Sequence, residues 1–447
     1  MNKLRTIGVA SLMWIMVSAG AQSAADTATD KWDLNRCLEY ALENNVQLNK
    51  SRLSYASAEA SLMQAKGQRL PNLNASISEN GSNNRMRDPM TDELGDWKFS
   101  VNGSASLNTG VTLYSGGAIN NEIQRSTLAK EAALLSVDQT EMDISIAVVQ
   151  AYVNVLYAYE NLKYYKEVVD LSTKQVERSR RLLEAGSVSR RDIADMEAQL
   201  ASDNYSVVTA TNTLTQRITD LKTLLQIPVE QRYDVYIPEE EINVILDALP
   251  DIYDVYEATL RNVPDVKYSE LQKQMAEIDL KSAKAGYLPT LSASASIGTS
   301  YMDPYSLSAG TQFSDNLNER IGLTLSIPIF NRFSTKANVA RSKINIESAS
   351  LTLDNTRNAL LQEVERIYQE TQAGQQRYLA AIAQKNASEE SFSIAQEQYA
   401  LGMLNSIELQ QSRNMWLNAN RELIQSRFNA LLYRKILDYY LGIPLTM

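Results

Sequence analysis

Residues 32–78 read WDLNRCLEYALENNVQLNKSRLSYASAEASLMQAKGQRLPNLNASIS, and residues 252–298 read IYDVYEATLRNVPDVKYSELQKQMAEIDLKSAKAGYLPTLSASASIG. These are two versions of one text. Asp33 corresponds to Asp251, Leu42 to Leu260, Ala65 to Ala283, Leu70-Pro71 to Leu288-Pro289 and Ala75 to Ala293. Farther on, Gly186 corresponds to Gly402 and Ile227-Pro228 to Ile443-Pro444. The order holds along almost the whole of the 447 residues, so the chain is two structural copies, 22–228 and 252–447. Each copy contains a helix, a pair of strands and a long helical hairpin, an odd set for a compact globule.

The quoted stretches fix the first elements. Asp33 and Asp251 stand where a carboxylate caps free backbone amides and meets the positive end of the helix dipole. The pattern then predicts one helix of about 35 residues in each copy, ended by the Leu-Pro pair. Beyond it the period changes to two. Leu73, Ala75 and Ile77 alternate with Asn72, Asn74, Ser76 and Ser78, and Leu291, Ala293, Ala295 and Ile297 alternate with Ser292, Ser294 and Ser296. Such alternation predicts strands with one apolar and one small polar face, over 72–79 and 290–299. Loops rich in Gly, Asn, Asp, Ser and Pro follow at 80–96 and 300–318. A second strand is expected after each loop, over 98–114 and 319–330, the latter with Ile321, Leu323, Leu325, Ile327 and Ile329 on one face. Alternation alone equally suits a soluble hairpin with one face on a core.

Helical pattern resumes after Gly116-Gly117 and after Asn331-Arg332-Phe333, and no proline interrupts it before Pro228 and Pro444. Long helices are predicted over 119–185 and 189–226, and over 334–401 and 405–441. Ile193, Leu200, Val207, Leu214 and Leu221 recur every seven positions, as do Leu409, Trp416, Leu423, Ala430 and Leu437. Sustained heptads predict coiled-coil seams between neighbouring helices. Residues 229–251, with Pro238, Pro250 and the Glu239-Glu240-Glu241 run, form a connector between the copies, its acids a solvated face.

Composition excludes several functions. The chain has no histidine and one cysteine, which removes the commonest general base and metal ligand and leaves no internal disulfide. Walker, dinucleotide-binding and EF-hand patterns are absent from the sequence. The acids repeat with helix surfaces and form no pocket-like pair, so neither an enzyme nor a cofactor is expected. A net charge of −10 argues against nucleic acid as a partner. Cys37 shares an apolar helical face with Leu34, Leu38 and Ala41 and reads as a small buried hydrophobe. Lys3, Arg5, the apolar run from Ile7 to Val17 and Ala19-Gly20-Ala21 make residues 1–21 a secretory signal peptide, so export is expected.

After that peptide no apolar stretch is expected to be long enough for a membrane helix, so any passage through lipid must use a closed barrel. Four strands are too few to close one, and several chains would have to contribute. A soluble periplasmic coiled-coil adaptor or scaffold is the alternative reading.

The signal peptide, the duplicated helix ending in Leu-Pro, the strand pairs, Tyr114-Ser115-Gly116-Gly117 and the hairpins turning at Gly186 and Gly402 together resemble the outer membrane efflux protein (TolC) family over residues 32–446. The resemblance implies a mainly α, internally duplicated fold whose four strands join those of two further copies in a twelve-stranded transmembrane β-barrel. Below it the helices would form an α-barrel tunnel projecting into the periplasm. It also implies an outer membrane location, a homotrimer in contact with outer membrane lipid, and two partners, a periplasmic adaptor protein and an inner-membrane transporter. The chain would be the passive exit duct of a tripartite efflux pump or type I secretion system. Glu408 matches a position whose acid points into the tunnel at its periplasmic constriction. Asp192 and Tyr399 match closure contacts. Gly186, Val188 and Ser189, with Gly402, Met403, Leu404 and Asn405, form the tips expected to touch the adaptor. The chain departs from the family pattern at Leu404, where a basic link is usual, and at Gln411, where a second inward acid is usual.

The turns also have a plainer reading. Ser189 with Asp192, and Asn405 with Glu408, have the spacing of capping boxes that start the returning helices.

Overall fold

The computed structural model describes residues 31–445 apart from 89, 91, 187, 229, 232, 239–242 and 304–306. The expected signal peptide and the Glu239-Glu240-Glu241 run lie outside the described residues. The first copy comprises β1 (Lys31–Trp32), α1 (Leu34–Asn44), α2 (Val46–Gly67), β2 (Asn72–Asn84), β3 (Lys98–Tyr114), α3 (Ala118–Glu184) and α4 (Arg190–Leu225). A connector strand β4 (Asp234–Val235) pairs in parallel with β1. The second copy comprises α5 (Ile252–Asn262), α6 (Pro264–Ala285), β5 (Thr290–Asp303), α7 (Ala309–Asp315), β6 (Asn318–Ser326), α8 (Ser334–Ala400) and α9 (Ser406–Tyr440).

The single opening helix expected in each copy is in fact two. Asn45 is extended, with ψ 124°, and its side-chain oxygen accepts from the amides of Gln47 at 2.8 Å and Leu48 at 3.3 Å. It stops α1 and caps α2 at once. In the second copy Pro264 occupies the first turn of α6, and its ring disfavours a helical Val263, which sits at ψ 129°. Two strand limits also change. The strand expected to reach residue 330 ends at Ser326, ahead of Pro328, which has no amide to donate. The strands expected to end at 79 and 299 continue to Asn84 and Asp303. The loop expected over 300–318 folds α7 back onto β5: Gln312 is buried and donates to the carbonyls of Met302 at 3.0 Å and Leu307 at 2.9 Å.

The four long strands form one antiparallel sheet in the order β2-β3-β5-β6. Below it α3 and α8, 67 residues each, extend about 100 Å. No closed globule is that long. α3 packs on α2 and α6 beneath the sheet and on α4 and α9 toward the far end. The main core lies midway, where α3 contributes Val148, Val149, Tyr152 and Leu156, met by Trp32, Cys37, Leu48, Leu221, Leu225 and Leu431. Each such side chain taken from water contributes about 2 kcal/mol. Burial also pushes the Cys37 thiol up to about 11, so it stays protonated beside the Tyr233 hydroxyl. This core explains a further correction. An 18-residue window in α3 does reach a mean hydropathy of 1.2, enough by composition to cross a membrane, and half of it is buried within the protein.

The hairpins turn where glycine is required. Gly186 and Gly402 have φ of +74° and +71°, a region that costs L-residues about 1–2 kcal/mol. At Gly402 the helix closes with its amide on the Tyr399 carbonyl and the Met403 amide on that of Gln398.

Candidate functional site

Two regions carry potential function: the tip of the paired hairpins and the sheet. At the tip, both capping boxes form. The Asp192 carboxylate accepts from the Ser189 amide at 3.0 Å and hydroxyl at 2.7 Å, while the Ser189 oxygen accepts from the Asp192 amide at 3.2 Å. Asn405 accepts from the Glu408 amide at 2.9 Å, and the Glu408 carboxylate accepts from the Asn405 amide at 3.3 Å. Both acids therefore start returning helices, as the spacing suggests.

The two acids differ in their surroundings. Asp192 lies across from the second hairpin, and the Ser406 hydroxyl at the start of α9 adds to the Ser189 bonds. Together these bonds, those of Ser189 foremost, hold its carboxyl below the ordinary 3.8. Glu408 is exposed. Asp195, one turn beyond Asp192, lies 3.9 Å from Arg191 on the open helix surface.

The expected tip residues divide into two groups. Val188 and Leu404 are half-buried against an apolar cluster of Val176, Met196, Phe392, Ala395, Tyr399 and Leu409. Met403 is 72% exposed, flanked by Leu401 at 75% and Ile407 at 58%. Tyr399 is buried, and its hydroxyl has no hydrogen-bond partner among the described residues of this single chain. Ser406 thus helps to depress the Asp192 carboxyl, and the Tyr399 hydroxyl is spent on no bond among the described residues of the subunit.

A third group escaped sequence reasoning. Arg413 of α9, 1% exposed, reaches Asp203 of α4 at 2.5 Å and the Ser172 hydroxyl of α3 at 2.9 Å. Gln199 donates to the other Asp203 oxygen at 2.9 Å, and Gln410 hydrogen-bonds Gln199. The signal was partial: Asp203 follows Leu200 by three positions, an inner position of the heptad, whereas Arg413 follows Leu409 by four and flanks the seam, where a charge is ordinarily solvated. Below this network a cleft of about 410 Å³ opens between α4 and α9, lined by Asp195, Met196, Gln199, Ser406, Ile407 and Gln410.

The sheet is the second region, and its register sorts it into two faces. Leu73 pairs with Thr109, Thr109 with Ala295 and Ala295 with Ile321, and a neighbouring row runs Val111–Ala293–Leu323. On the opposite face Asn74 pairs with Asn108, Asn108 with Ser296 and Ser296 with Arg320. Serine hydroxyls bond across that face, Ser76 to Ser106 and Ser78 to Ser104, both at 2.8 Å. The apolar face is bare within the chain: Ile77 is 87% exposed and Ile321 88%. Among the described residues nothing pairs with the outer edges of β2 and β6.

Comparison with known proteins agrees with this geometry. The family model described as outer membrane efflux protein matches residues 37–225 and 255–442, one match in each copy. The outer membrane protein TolC of Escherichia coli (strain K12) is 25% identical over 384 residues, covering 80% of this chain and 76% of that protein. The proteases secretion protein PrtF of Dickeya chrysanthemi is 21% identical over 437 residues, covering 94% of this chain and 89% of that protein. In fold, the chain superposes on a crystal structure of CusC with a TM-score of 0.80, at 18% identity and 93% coverage of both chains.

Proposed function

Because the chain belongs to the outer membrane efflux protein family, whose members are outer membrane channels with a helical tunnel into the periplasm, we propose that three copies close their sheets into one twelve-stranded barrel and serve as the passive exit duct of a tripartite efflux pump or type I secretion system. The carrying observation is the sheet itself: a bare apolar face, a serine- and asparagine-covered reverse face, and two open edges. In lipid an open edge leaves each backbone group unsatisfied at several kcal/mol, so β6 of one copy pairs with β2 of the next until the ring closes. The apolar face then meets hydrocarbon and the polar face lines a wet pore. The helices continue that pore into the periplasm, and an inner-membrane transporter supplies the energy.

At the far end, three exposed Glu408 carboxylates ring the constriction, where like charges repel one another and attract cations. Asp192 and Tyr399 act in closure, Asp192 through Ser406 and Tyr399 through its unspent hydroxyl. The tips at Gly186, Val188, Ser189, Gly402, Met403, Leu404 and Asn405 receive the adaptor, with exposed Met403 as the apolar anchor. Carbonate extraction of membranes, chemical cross-linking and planar-bilayer recording test the reading together. The protein should stay in the outer membrane pellet, cross-link to a trimer and conduct ions. Release by carbonate as a soluble species would instead support a periplasmic scaffold.

A further inference from the structure

We propose that Arg413 is the positioning residue that holds the two hairpins of one subunit together above the entrance, acting through Asp203 and Ser172. The proposal rests on the channel reading and adds the residue that sets its resting width.

The ion pair joins elements that nothing in the chain's connectivity would keep together at that height. Ser172 and Asp203 belong to the first hairpin, Arg413 to the second, and Asp203 lies 14 residues beyond Ser189, roughly 20 Å along α4 from the turn. Both charges are buried, Arg413 at 1% exposure and Asp203 at 5%. Their surroundings are largely apolar and aromatic: Trp416 stacks on Phe392 at 5.2 Å, and Tyr164 lies 6.4 Å from Trp416. A buried pair in such a setting is costly to break, since removing one partner strands the other charge away from water. Two further bonds between these hairpins lie near it among the described residues, Gln410 to Gln199 and the Tyr164 hydroxyl to the Leu417 carbonyl at 3.1 Å.

The same place holds the chain's unspent hydrogen-bonding capacity. The buried side-chain atoms without a partner among the described residues are Gln175 Nε2, Tyr399 Oη, Arg413 Nε and Nη1, and Trp416 Nε1, all in the lower part of the hairpins. One arm of the guanidinium is bonded twice and the rest of the fork is idle. A junction that is firmly paired at one atom and unsatisfied at its neighbours suits two arrangements, paired as seen and spread, with a modest gap between them.

Single-channel recording of full-length trimers tests this, with heat stability of the trimer followed in parallel. Arg413→Met and Asp203→Asn should each raise the ratio of open to closed entrances about tenfold or more, and Arg413→Lys, which keeps the charge and loses the fork, should fall between. The exchanged pair, Asp203→Arg with Arg413→Asp, should return toward the parent ratio. Simple destabilisation would lower trimer yield and leave the conductance of each inserted trimer unchanged. If the single variants fail to assemble, Gln199→Ala, which leaves both charges in place and removes one bond to Asp203, should still raise the ratio. Assembled variants that gate like the parent overturn the role of Arg413. A parent trimer that never conducts overturns the channel reading instead.

Discussion

Asp192 and Glu408 occupy equivalent places at the starts of α4 and α9, and each closes a capping box, yet the Asp192 carboxyl is also depressed by the Ser406 hydroxyl of the other hairpin. Acid should therefore affect them differently. A carboxyl whose folded value is depressed contributes stability above its unfolded value, here the ordinary 3.8, and loses it as pH falls through the depressed folded value. Acidification below 3.8 should loosen the tip of the parent protein, read as rising protease sensitivity at residues 186–189, and Asp192→Asn should lack that acid-dependent step. Glu408 is expected to act on ions instead. In planar bilayers Glu408→Ala should raise conductance or weaken block by divalent cations, with little change in stability, because loss of a capping partner costs about 1 kcal/mol. Unchanged conductance and block would remove the charged ring from the mechanism. Cys37 has no such role, and a maleimide should label it only after unfolding.

Between elements, α8 comes close to α9 at Gly374, where an added Cβ would stand 3.2 Å from the Ala430 Cα. Gly374→Val should lower the thermal midpoint, at a cost of about 1–3 kcal/mol, with the α8–α9 hairpin opening first in hydrogen exchange. The long helices were legible because Ala118–Glu184 and Ser334–Ala400 contain no proline and, apart from Gly374, no glycine. The break at Asn45 was not, because apolar periodicity runs through it and an asparagine can either sit in a helix or cap the next. The break at Val263–Pro264 is carried by a proline that starts α6, a position any helix tolerates, so the residue marks a boundary only when the extended Val263 before it is known. α7 hid in a stretch of turn-forming residues, where Ser308 caps it by accepting from the Thr311 amide at 3.2 Å. Arg413 was missed for a different reason: a charged residue on a heptad helix reads as solvated until its burial is known.

For the whole molecule, the assignment of faces decides between a membrane pore and a sheet resting on a soluble core. Arg substituted for Ile321, on the bare apolar face, should destabilise a lipid-facing barrel by about 2–4 kcal/mol near the bilayer midplane. Lys substituted for Ser296, on the reverse face, should leave assembly intact and shift ion selectivity toward anions. Reversal-potential measurements on folded trimers check both. Equal tolerance at the two positions would mean that neither surface faces hydrocarbon.

The strands at the two margins of the sheet are unequal, β2 with 13 residues and β6 with 9. In a ring built by setting these margins side by side, the shorter strand stops before the longer one does. The far end of β2, Gly81-Ser82-Asn83-Asn84, is then left with β3 on one flank and open water on the other. Small polar residues are what such a ledge needs, and they belong above the headgroups. The cell-surface mouth would accordingly be a crown with three hydrated teeth, open ahead of the pore to an antibody arriving from outside.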